Sequence, residues 1–180
     1  MKKTCLVVLL IPLLAAVAQN AKPDIWKPFE YLEGVWEGRG EATSGISSVV
    51  QEYRFILGGN FIQATNRAEF KAQEKNPQGE LHEDMEFISY DQGRKTHVLR
   101  GFYSEGFVNR YIGKIEDGGK SIIFETEAVE NAPAGTRAKI VLRRTAPGKL
   151  EQSFYVAWPG REYSCMSTNY LTKRPSTKRQ

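Results

Sequence analysis

The feature that most constrains this chain is a strand-and-turn pattern repeated from Gly34 to Thr172. Segments of about seven to eleven residues rich in Val, Ile, Phe, Tyr and Thr alternate with short Gly, Pro or Asn turns, as β-strands do. The predicted strands are Gly34–Thr43, Ser47–Leu57, Phe61–Lys71, Leu81–Asp91, Lys95–Tyr103, Phe107–Glu116, Ser121–Val129, Arg137–Thr145, Leu150–Trp158 and Tyr163–Thr172. Because the links are too short for crossover helices, neighbouring strands should pair antiparallel.

A meander of about ten strands leaves two open edges unless the sheet closes on itself. Closure gives an up-and-down β-barrel, which at this size can enclose one small ligand. The rival is a two-sheet sandwich with Greek-key crossings, and the consistently tight links favour the barrel. Trp26–Leu32 is predicted to form a short helix or turn before the first strand. We therefore predict one all-β domain, an antiparallel meander barrel over residues 19–172 with a short N-terminal helix.

The N-terminus has the pattern of a secretory signal peptide. Lys2 and Lys3 precede the apolar run Cys5–Val17, and Ala18 follows as a small residue at a cleavage position. The apolar run is shorter than the roughly 20 residues that span a bilayer. We expect cleavage after Ala18, or alternatively after Ala21, with no membrane span and export to the periplasm or beyond.

The net charge of +4 and the pI near 9.0 would suggest nucleic-acid binding if the basic residues lay on one folded surface. Two of the 25 basic residues lie in the predicted signal peptide and four lie in residues 173–180, which we predict to be a flexible basic tail. The remaining body has 19 basic residues against all 21 acidic ones, so we predict no nucleic-acid partner. One of the two cysteines leaves with the signal peptide, which excludes an internal disulfide.

Alternation along the strands places polar groups among aromatic residues on the predicted inner faces, including Glu83 and Gln152. Each buried polar group needs a partner, so a solid core would have little use for them. A cavity holding water or an amphipathic ligand would satisfy them, and solvation at the barrel mouths is the alternative. The apolar contacts to such a ligand are predicted to come from Trp36, Tyr53, Met85, Tyr111 and Phe154, and the contacts to its polar head from Gln51 and Asn109.

The opening strand Gly34-Val35-Trp36-Glu37-Gly38-Arg39-Gly40, preceded by a short helical turn, resembles the calycin group of barrels. This group includes lipocalins, fatty-acid-binding proteins and nitrobindin-type heme-binding barrels. Trp36 can plug one end of such a barrel, while Gly38 and Gly40 let the first strand bend. Leu57–Phe61 and Ile88–Asp91 also resemble a family of exported bacterial proteins of unknown function. The resemblance implies a calycin-like barrel with an interior ligand site.

Two departures from these families concern the ligand. Nitrobindin-type barrels bind heme through a histidine near the C-terminus, whereas this chain has only His82 and His97, which we expect to be solvated strand residues. We therefore predict no cofactor, with heme as a less favoured alternative. Arg161-Glu162-Tyr163 matches the Arg-x-Tyr pattern with which fatty-acid-binding proteins bind a carboxylate. However, Pro159-Gly160 places this segment at a turn.

The sequence has no motif for nucleophilic, metal or phosphate chemistry, so no catalytic or metal-ligating residue is predicted. Glu80, Glu83, Asp84 and Glu86 form an acidic cluster that we interpret as a solvated face, and Cys165 is expected to pack inside as a small apolar group.

The interpretation that these observations favour is an exported barrel, monomeric or weakly dimeric, that binds a small hydrophobic or amphipathic molecule. One alternative is an isomerase-like or cyclase-like enzyme that uses interior polar residues, for which Glu105, Arg110 and Tyr111 are candidates. Another is a ligand-free interaction module of the cell envelope, with a filled barrel.

Overall fold

The computed structural model describes residues 24–175, so the predicted signal peptide and residues 176–180 lie outside the described part. Ten strands form, and their ends differ from the predicted ones by at most two residues. They are β1 (Gly34–Ala42), β2 (Gly45–Ile56), β3 (Phe61–Phe70), β4 (Glu80–Asp91), β5 (Thr96–Tyr103), β6 (Val108–Glu116), β7 (Ser121–Glu130), β8 (Arg137–Ala146), β9 (Lys149–Ala157) and β10 (Ser164–Lys173). The helical elements are 3-10 helices at Asp24–Leu32, Leu57–Gly59 and Asp117–Gly119.

The ten strands close into an antiparallel barrel in which every strand pairs with its neighbours along the chain. Closure occurs where β1 pairs with β10, so that Trp36 lies opposite Gln51 on β2 and opposite Lys173 on β10. The predicted meander barrel is confirmed, and the sandwich is excluded. No helix within residues 24–175 is long and apolar enough to cross a membrane.

One end of the barrel is filled by the N-terminal 3-10 helix. Trp26, Phe29 and Leu32 recur every third residue, which puts them on one face of a helix with three residues per turn. All three are buried, and so is Trp36 at the start of β1. Trp36 Nε1 donates a hydrogen bond to the Leu32 carbonyl oxygen at 2.7 Å, which joins the helix to the first strand. We call these four residues the closed end, and the predicted plug by Trp36 is confirmed.

Two glycines of β1 allow close approach inside the barrel wall. A Cβ atom at Gly38 would lie 2.0 Å from the carbonyl oxygen of Tyr170 on β10. A Cβ atom at Gly40 would lie 2.3 Å from Ser47 Oγ. Neither position can hold a side chain without movement of its neighbour, as expected for glycines in a bent barrel strand.

The chain stays attached to the barrel beyond the predicted boundary at Thr172. Lys173 Nζ donates a hydrogen bond to the Tyr31 carbonyl oxygen at 2.7 Å. The Arg174 side chain lies 2.6 Å from Glu37 Oε2, and its backbone amide donates to the Val35 carbonyl oxygen. The first two residues of the predicted tail therefore pack against the start of β1.

Candidate functional site

The barrel contains a cavity of about 340 Å³. Ser44, Glu105, Ala132 and Trp158 line its outer part, and they lie in or next to the links at the end of the barrel away from the N-terminal helix. The cavity is therefore open at the end opposite the closed end. A completely filled barrel, one of the sequence-based alternatives, is not what the structure shows.

A layer of amide side chains forms the floor of the cavity. Gln51 is buried, its Nε2 donates to Asn66 Oδ1 at 3.2 Å, and it also contacts Gln152 Oε1. Tyr53 donates its hydroxyl proton to Gln51 Oε1 at 3.2 Å, and Asn169 Nδ2 donates to Gln152 Oε1 at 3.2 Å. Gln51 and Tyr53 thus lie beneath the floor and hold in place Asn66, Gln152 and Asn169, which line the cavity.

One side of the cavity is acidic. Successive inward positions of β4 place His82, Asp84 and Glu86 along it, and Glu105 reaches it from the link after β5. We call these four residues the acidic wall. His82 Nε2 lies 3.3 Å from Asp84 Oδ2, and His82 Nδ1 contacts Glu105 Oε1. These contacts, with that to Asp84 the largest, raise the pKa of His82 to about 9, so the imidazole is protonated at neutral pH.

Glu86 is the deepest carboxyl group of the acidic wall and is only 6% exposed. Burial, followed by the negative charge of Asp84, raises the pKa of Glu86 to about 8. Glu86 Oε1 accepts a hydrogen bond from the Tyr103 hydroxyl at 3.2 Å. Glu86 can therefore hold a proton at neutral pH and release it in response to a small change in its surroundings.

Tyr103 extends this contact into a chain of hydrogen bonds. The Tyr103 and Tyr111 hydroxyl groups lie 2.9 Å apart, and Asn109 Nδ2 donates to the Tyr111 hydroxyl oxygen at 2.8 Å. When Glu86 is ionised, Tyr103 donates its one proton to Glu86, Tyr111 donates to Tyr103, and Asn109 Nδ2 donates to the Tyr111 oxygen. This assignment points the Asn109 amide nitrogen at Tyr111 and leaves Asn109 Oδ1 as an acceptor.

Asn109 Oδ1 is a buried acceptor that receives no hydrogen bond within the described chain. Asn109 is 5% exposed and lines the cavity. Buried polar atoms are paired in the great majority of cases, so an unpaired one beside a cavity points to a partner that enters the cavity.

The side of the barrel across from the acidic wall is apolar. Ile140 of β8, with Phe154 and Val156 of β9, lines the cavity there, and we call these residues the apolar wall. β4 and β9 are five strands apart in a ring of ten, which places their inward faces opposite one another. The cavity therefore has an apolar side and an acidic side.

The structure reverses the predicted faces of β4. Leu81 and Met85, predicted to face inward, are 43% and 41% exposed. The register with β3 pairs Asn66 with Asp84 and Ala64 with Glu86, and paired residues share a face. Since Asn66 and Ala64 face inward, so do their partners. The solvated-face interpretation is thus wrong for Asp84 and Glu86, which are the functional candidates that the sequence analysis missed.

The predicted positions of three other side chains are also wrong. His82 and His97, expected to be solvated, lie in the cavity wall and in the buried interior, respectively. Cys165, expected inside, is exposed, and its neighbour Met166 lines the cavity instead. A register shift between Cys165 and Ser167 in the pairing with β9 changes the alternation there.

The seven predicted ligand contacts are distributed over three environments. Asn109 and Phe154 line the cavity, and their role in binding stays a prediction. Trp36, Gln51, Tyr53 and Tyr111 are inside the barrel but buried beneath or behind the cavity lining. Met85 is on the outer surface, because its face of β4 is reversed.

The histidines do not fit a heme bound through an imidazole. Both ring nitrogens of His82 face carboxylate oxygens, and iron ligation needs a free, neutral nitrogen. His97 packs against Phe29 in the interior, its Nε2 donates to the Ile25 carbonyl oxygen at 3.0 Å, and it does not line the cavity. Heme propionates are anions, whereas the cavity-lining residues include five carboxylic acids and no Lys or Arg.

A metal site is not formed either within the part of the chain that the structure describes. No three His, Cys, Asp or Glu side chains in residues 24–175 converge in a way that could hold a metal ion. The acidic wall is instead organised by hydrogen bonds, through His82, Asn66 and Tyr103.

Comparisons with known proteins agree with this architecture. The chain is similar to the crystal structure of Rv2717c from M. tuberculosis, with a TM-score of 0.61 and 14% sequence identity over 84% of this chain and 98% of that chain. At this identity the likeness concerns the fold alone. No curated protein sequence matches the chain significantly. The model of the THAP4-like, heme-binding β-barrel domain matches residues 26–173, which is most of the chain. The protein therefore belongs to the THAP4-like, heme-binding β-barrel domain family.

Proposed function

We propose that this barrel binds a small amphipathic molecule in its interior cavity. The observation that carries the proposal is that the acidic wall and the apolar wall face each other across one cavity. A ligand with an apolar body would pack against Ile140, Phe154 and Val156, while its polar head would lie near Glu86 and Asn109. Small-molecule sites commonly combine an apolar lining with a few polar groups that orient the ligand.

The size of the cavity supports a small ligand. Its volume of about 340 Å³ lies at the lower end of the range of roughly 300–1,000 Å³ that is usual for ligand pockets. The floor of paired amides around Gln51 separates the cavity from the closed end, so the ligand would not reach Trp36 or the N-terminal helix.

The family description names heme, but the proposal for this chain is a ligand other than a histidine-bound heme. Both nitrogens of His82 already face carboxylates, and His97 lies outside the cavity lining. The chain shares the barrel fold with its family. The polar groups of its cavity favour a ligand other than a heme bound through histidine.

Proton transfer is a second candidate function, favoured by Glu86. This carboxyl group lines the cavity, has a pKa raised to about 8 by burial, and is hydrogen-bonded to Tyr103. A buried carboxyl group with a pKa near the working pH can act as a general base or acid. If it does, deuterium exchange at the α-carbon of bound 2-octanone should be accelerated and should disappear in Glu86→Gln. Equal exchange in both proteins would exclude this function for the tested ketone.

We also propose that the protein is exported, as the apolar run Cys5–Val17 indicates. The family match begins at residue 26, after the predicted cleavage site, which is consistent with a mature protein that starts at Gln19. N-terminal sequencing of the protein from a bacterial periplasmic fraction tests this, and an intact Met1 in the soluble cytoplasmic fraction would contradict it.

Interior binding can be tested by filling the cavity. Ala138 is 3% exposed and lines the cavity, so Ala138→Phe should place a ring in it. Ala128 is half-buried on β7, pairs with the exposed Arg110 and does not line the cavity, so Ala128→Phe is the matched control. In calorimetric titrations with 1-octanol and N-phenyl-1-naphthylamine, we expect binding to the wild type and to Ala128→Phe, and at least tenfold weaker binding to Ala138→Phe.

Melting curves of the three proteins show that each is folded before titration. Failure of both probes to bind the wild type, or equal binding to Ala138→Phe, would overturn the proposal.

A further inference from the structure

We propose that the polar head of the ligand is a primary or secondary ammonium group, which donates hydrogen bonds to Asn109 Oδ1 and pairs with Glu86. The inference rests on the proposed binding function and specifies the chemical class of the ligand.

The cavity lining is rich in acidic groups. Five carboxylic acids line the cavity, namely Glu41, Glu80, Asp84, Glu86 and Glu105, whereas no lining residue is Lys or Arg. His82 is the one basic group among the lining residues, and its two contacts with Asp84 and Glu105 already neutralise it. Glu41 pairs with Arg39 at 3.1 Å. The other carboxylic acids would repel an anionic head, whereas they would attract a cationic head.

Asn109 favours an N–H donor for a reason that does not depend on charge. Asn109 lines the cavity, and its buried Oδ1 lacks a donor among the described residues. An acceptor needs an N–H or O–H group from the ligand, and a buried acceptor left unpaired is costly. A primary or secondary ammonium group has both the positive charge and the N–H donor, whereas a quaternary ammonium group has only the charge.

Glu86 and Asn109 lie on either side of Gly101 in the strand register, so both line the same part of the cavity. Glu86 and Asn109 belong to one hydrogen-bonded chain through Tyr103 and Tyr111, with successive distances of 3.2, 2.9 and 2.8 Å. An ammonium ion beside Glu86 favours the ionised carboxylate, which accepts the Tyr103 proton. That arrangement of hydrogen bonds keeps Asn109 Nδ2 on Tyr111 and leaves Oδ1 as the acceptor that the ligand can pair with.

The test compares four probes that share an eight-carbon chain: octylammonium, octyltrimethylammonium, 1-octanol and octanoate. Calorimetry at pH 7.5 measures each affinity for the wild type, Glu86→Gln and Glu83→Gln. Glu83 lies on the same strand but faces outward, 57% exposed and paired with Arg67, so Glu83→Gln is the matched control. We expect octylammonium to bind the wild type at least tenfold more tightly than 1-octanol or octanoate.

Glu86→Gln should reduce the affinity for octylammonium at least tenfold and leave that for 1-octanol within twofold, while Glu83→Gln changes neither. Asn109→Leu should weaken octylammonium but not octyltrimethylammonium, which has no N–H group. Tighter or equal binding of octanoate, or an unchanged preference in Glu86→Gln, would overturn the ammonium assignment while leaving interior binding intact. If none of the four probes binds, it is the proposed binding function itself that fails.

Discussion

Inside the barrel, the Tyr103 hydroxyl donates a hydrogen bond to Glu86 Oε1 at a distance of 3.2 Å. This contact connects a buried carboxyl group on β4 to the Tyr111 and Asn109 side chains on β6. Glu86 is thereby held in one orientation at the deep end of the acidic wall. Buried, hydrogen-bonded polar groups of this kind stabilise an interior only when their partners are present, which makes the contact a sensitive position for both stability and binding.

Glu86 should make the stability of the protein depend on pH. Its pKa is raised from 4.5 to about 8 in the folded state, so between these values the folded protein holds a proton that the unfolded chain has released. The contribution of Glu86 to the free energy of unfolding is therefore largest below about pH 4.5, and it decreases as the pH rises towards 8. The ionisable groups within electrostatic reach of Glu86 are Asp84, Tyr53, Tyr103 and Tyr111.

Glu86→Gln removes this proton and should flatten the profile. We expect the melting temperature of the wild type to fall between pH 5.5 and pH 8.5. In Glu86→Gln the decrease should be smaller by about 2–4 °C or more. For a domain of this size, such a difference corresponds to about 1 kcal/mol in the free energy of unfolding. Circular dichroism melts measure it, with Glu83→Gln as the surface control. Parallel profiles for wild type and Glu86→Gln would show that Glu86 ionises normally.

Trp158 should report ligand binding by its fluorescence. It is 48% exposed and lines the cavity, whereas Trp26 and Trp36 are each 1% exposed in the closed end. Indole emission responds to the removal of water, so a ligand in the cavity should shift the emission of Trp158 only. We expect 1-octanol to shift the emission of the wild type and not that of Trp158→Phe. A persistent shift in that variant would place the ligand near the other two tryptophans.

Heme should not form a histidine-ligated complex with this chain. Addition of heme to the protein should produce no saturable one-to-one change in absorption near the Soret region. The His82→Ala variant should give the same spectrum as the wild type. Met166 also lines the cavity, so Met166→Leu is the control for a thioether ligand. A saturable Soret band that is lost in His82→Ala would contradict the proposed role of Asp84 and Glu105 in occupying the imidazole.

Gly38 should be intolerant of any side chain. An alanine Cβ there would lie 2.0 Å from the Tyr170 carbonyl oxygen, and the backbone of β10 would have to move. We expect Gly38→Ala to lower the free energy of unfolding by at least about 2 kcal/mol. At Gly93 the nearest heavy atom would be Asp91 Oδ1 at 3.4 Å, so Gly93→Ala should change stability by less than about 0.5 kcal/mol. Urea denaturation compares the two, and equal stabilities would exclude the steric role of Gly38.

The barrel itself was predictable because its signals are local. Tight turns such as Pro147-Gly148 and alternating strands fix antiparallel neighbours, and sheet edges then require closure. The strand ends follow from the same turn residues. The opening Trp36 with Gly38 and Gly40 was a further signal, because this strand resembles the first strand of the calycin group of barrels.

The acidic wall was not predicted, because strand faces were assigned by hydrophobicity. On β4 the apolar Leu81 and Met85 face the solvent, while His82 and Asp84 face a cavity. A hydrophobic pattern indicates which face of a strand is buried against a solid core. A cavity lined by polar and charged side chains inverts that pattern. Ile88, 1% exposed near the closed end, shares the face of these polar residues and could have fixed the correct register.

Interior binding of an amphipathic molecule is tested most directly by isotope-filtered nuclear Overhauser spectroscopy of the ¹³C-labelled protein with unlabelled 1-octanol. We expect contacts from the alkyl chain to the methyl groups of Ile140 and Val156, which line the cavity. Contacts to the outward-facing Leu81 and Met85 in place of these would contradict it, because the ligand would then lie on the outer surface of the barrel.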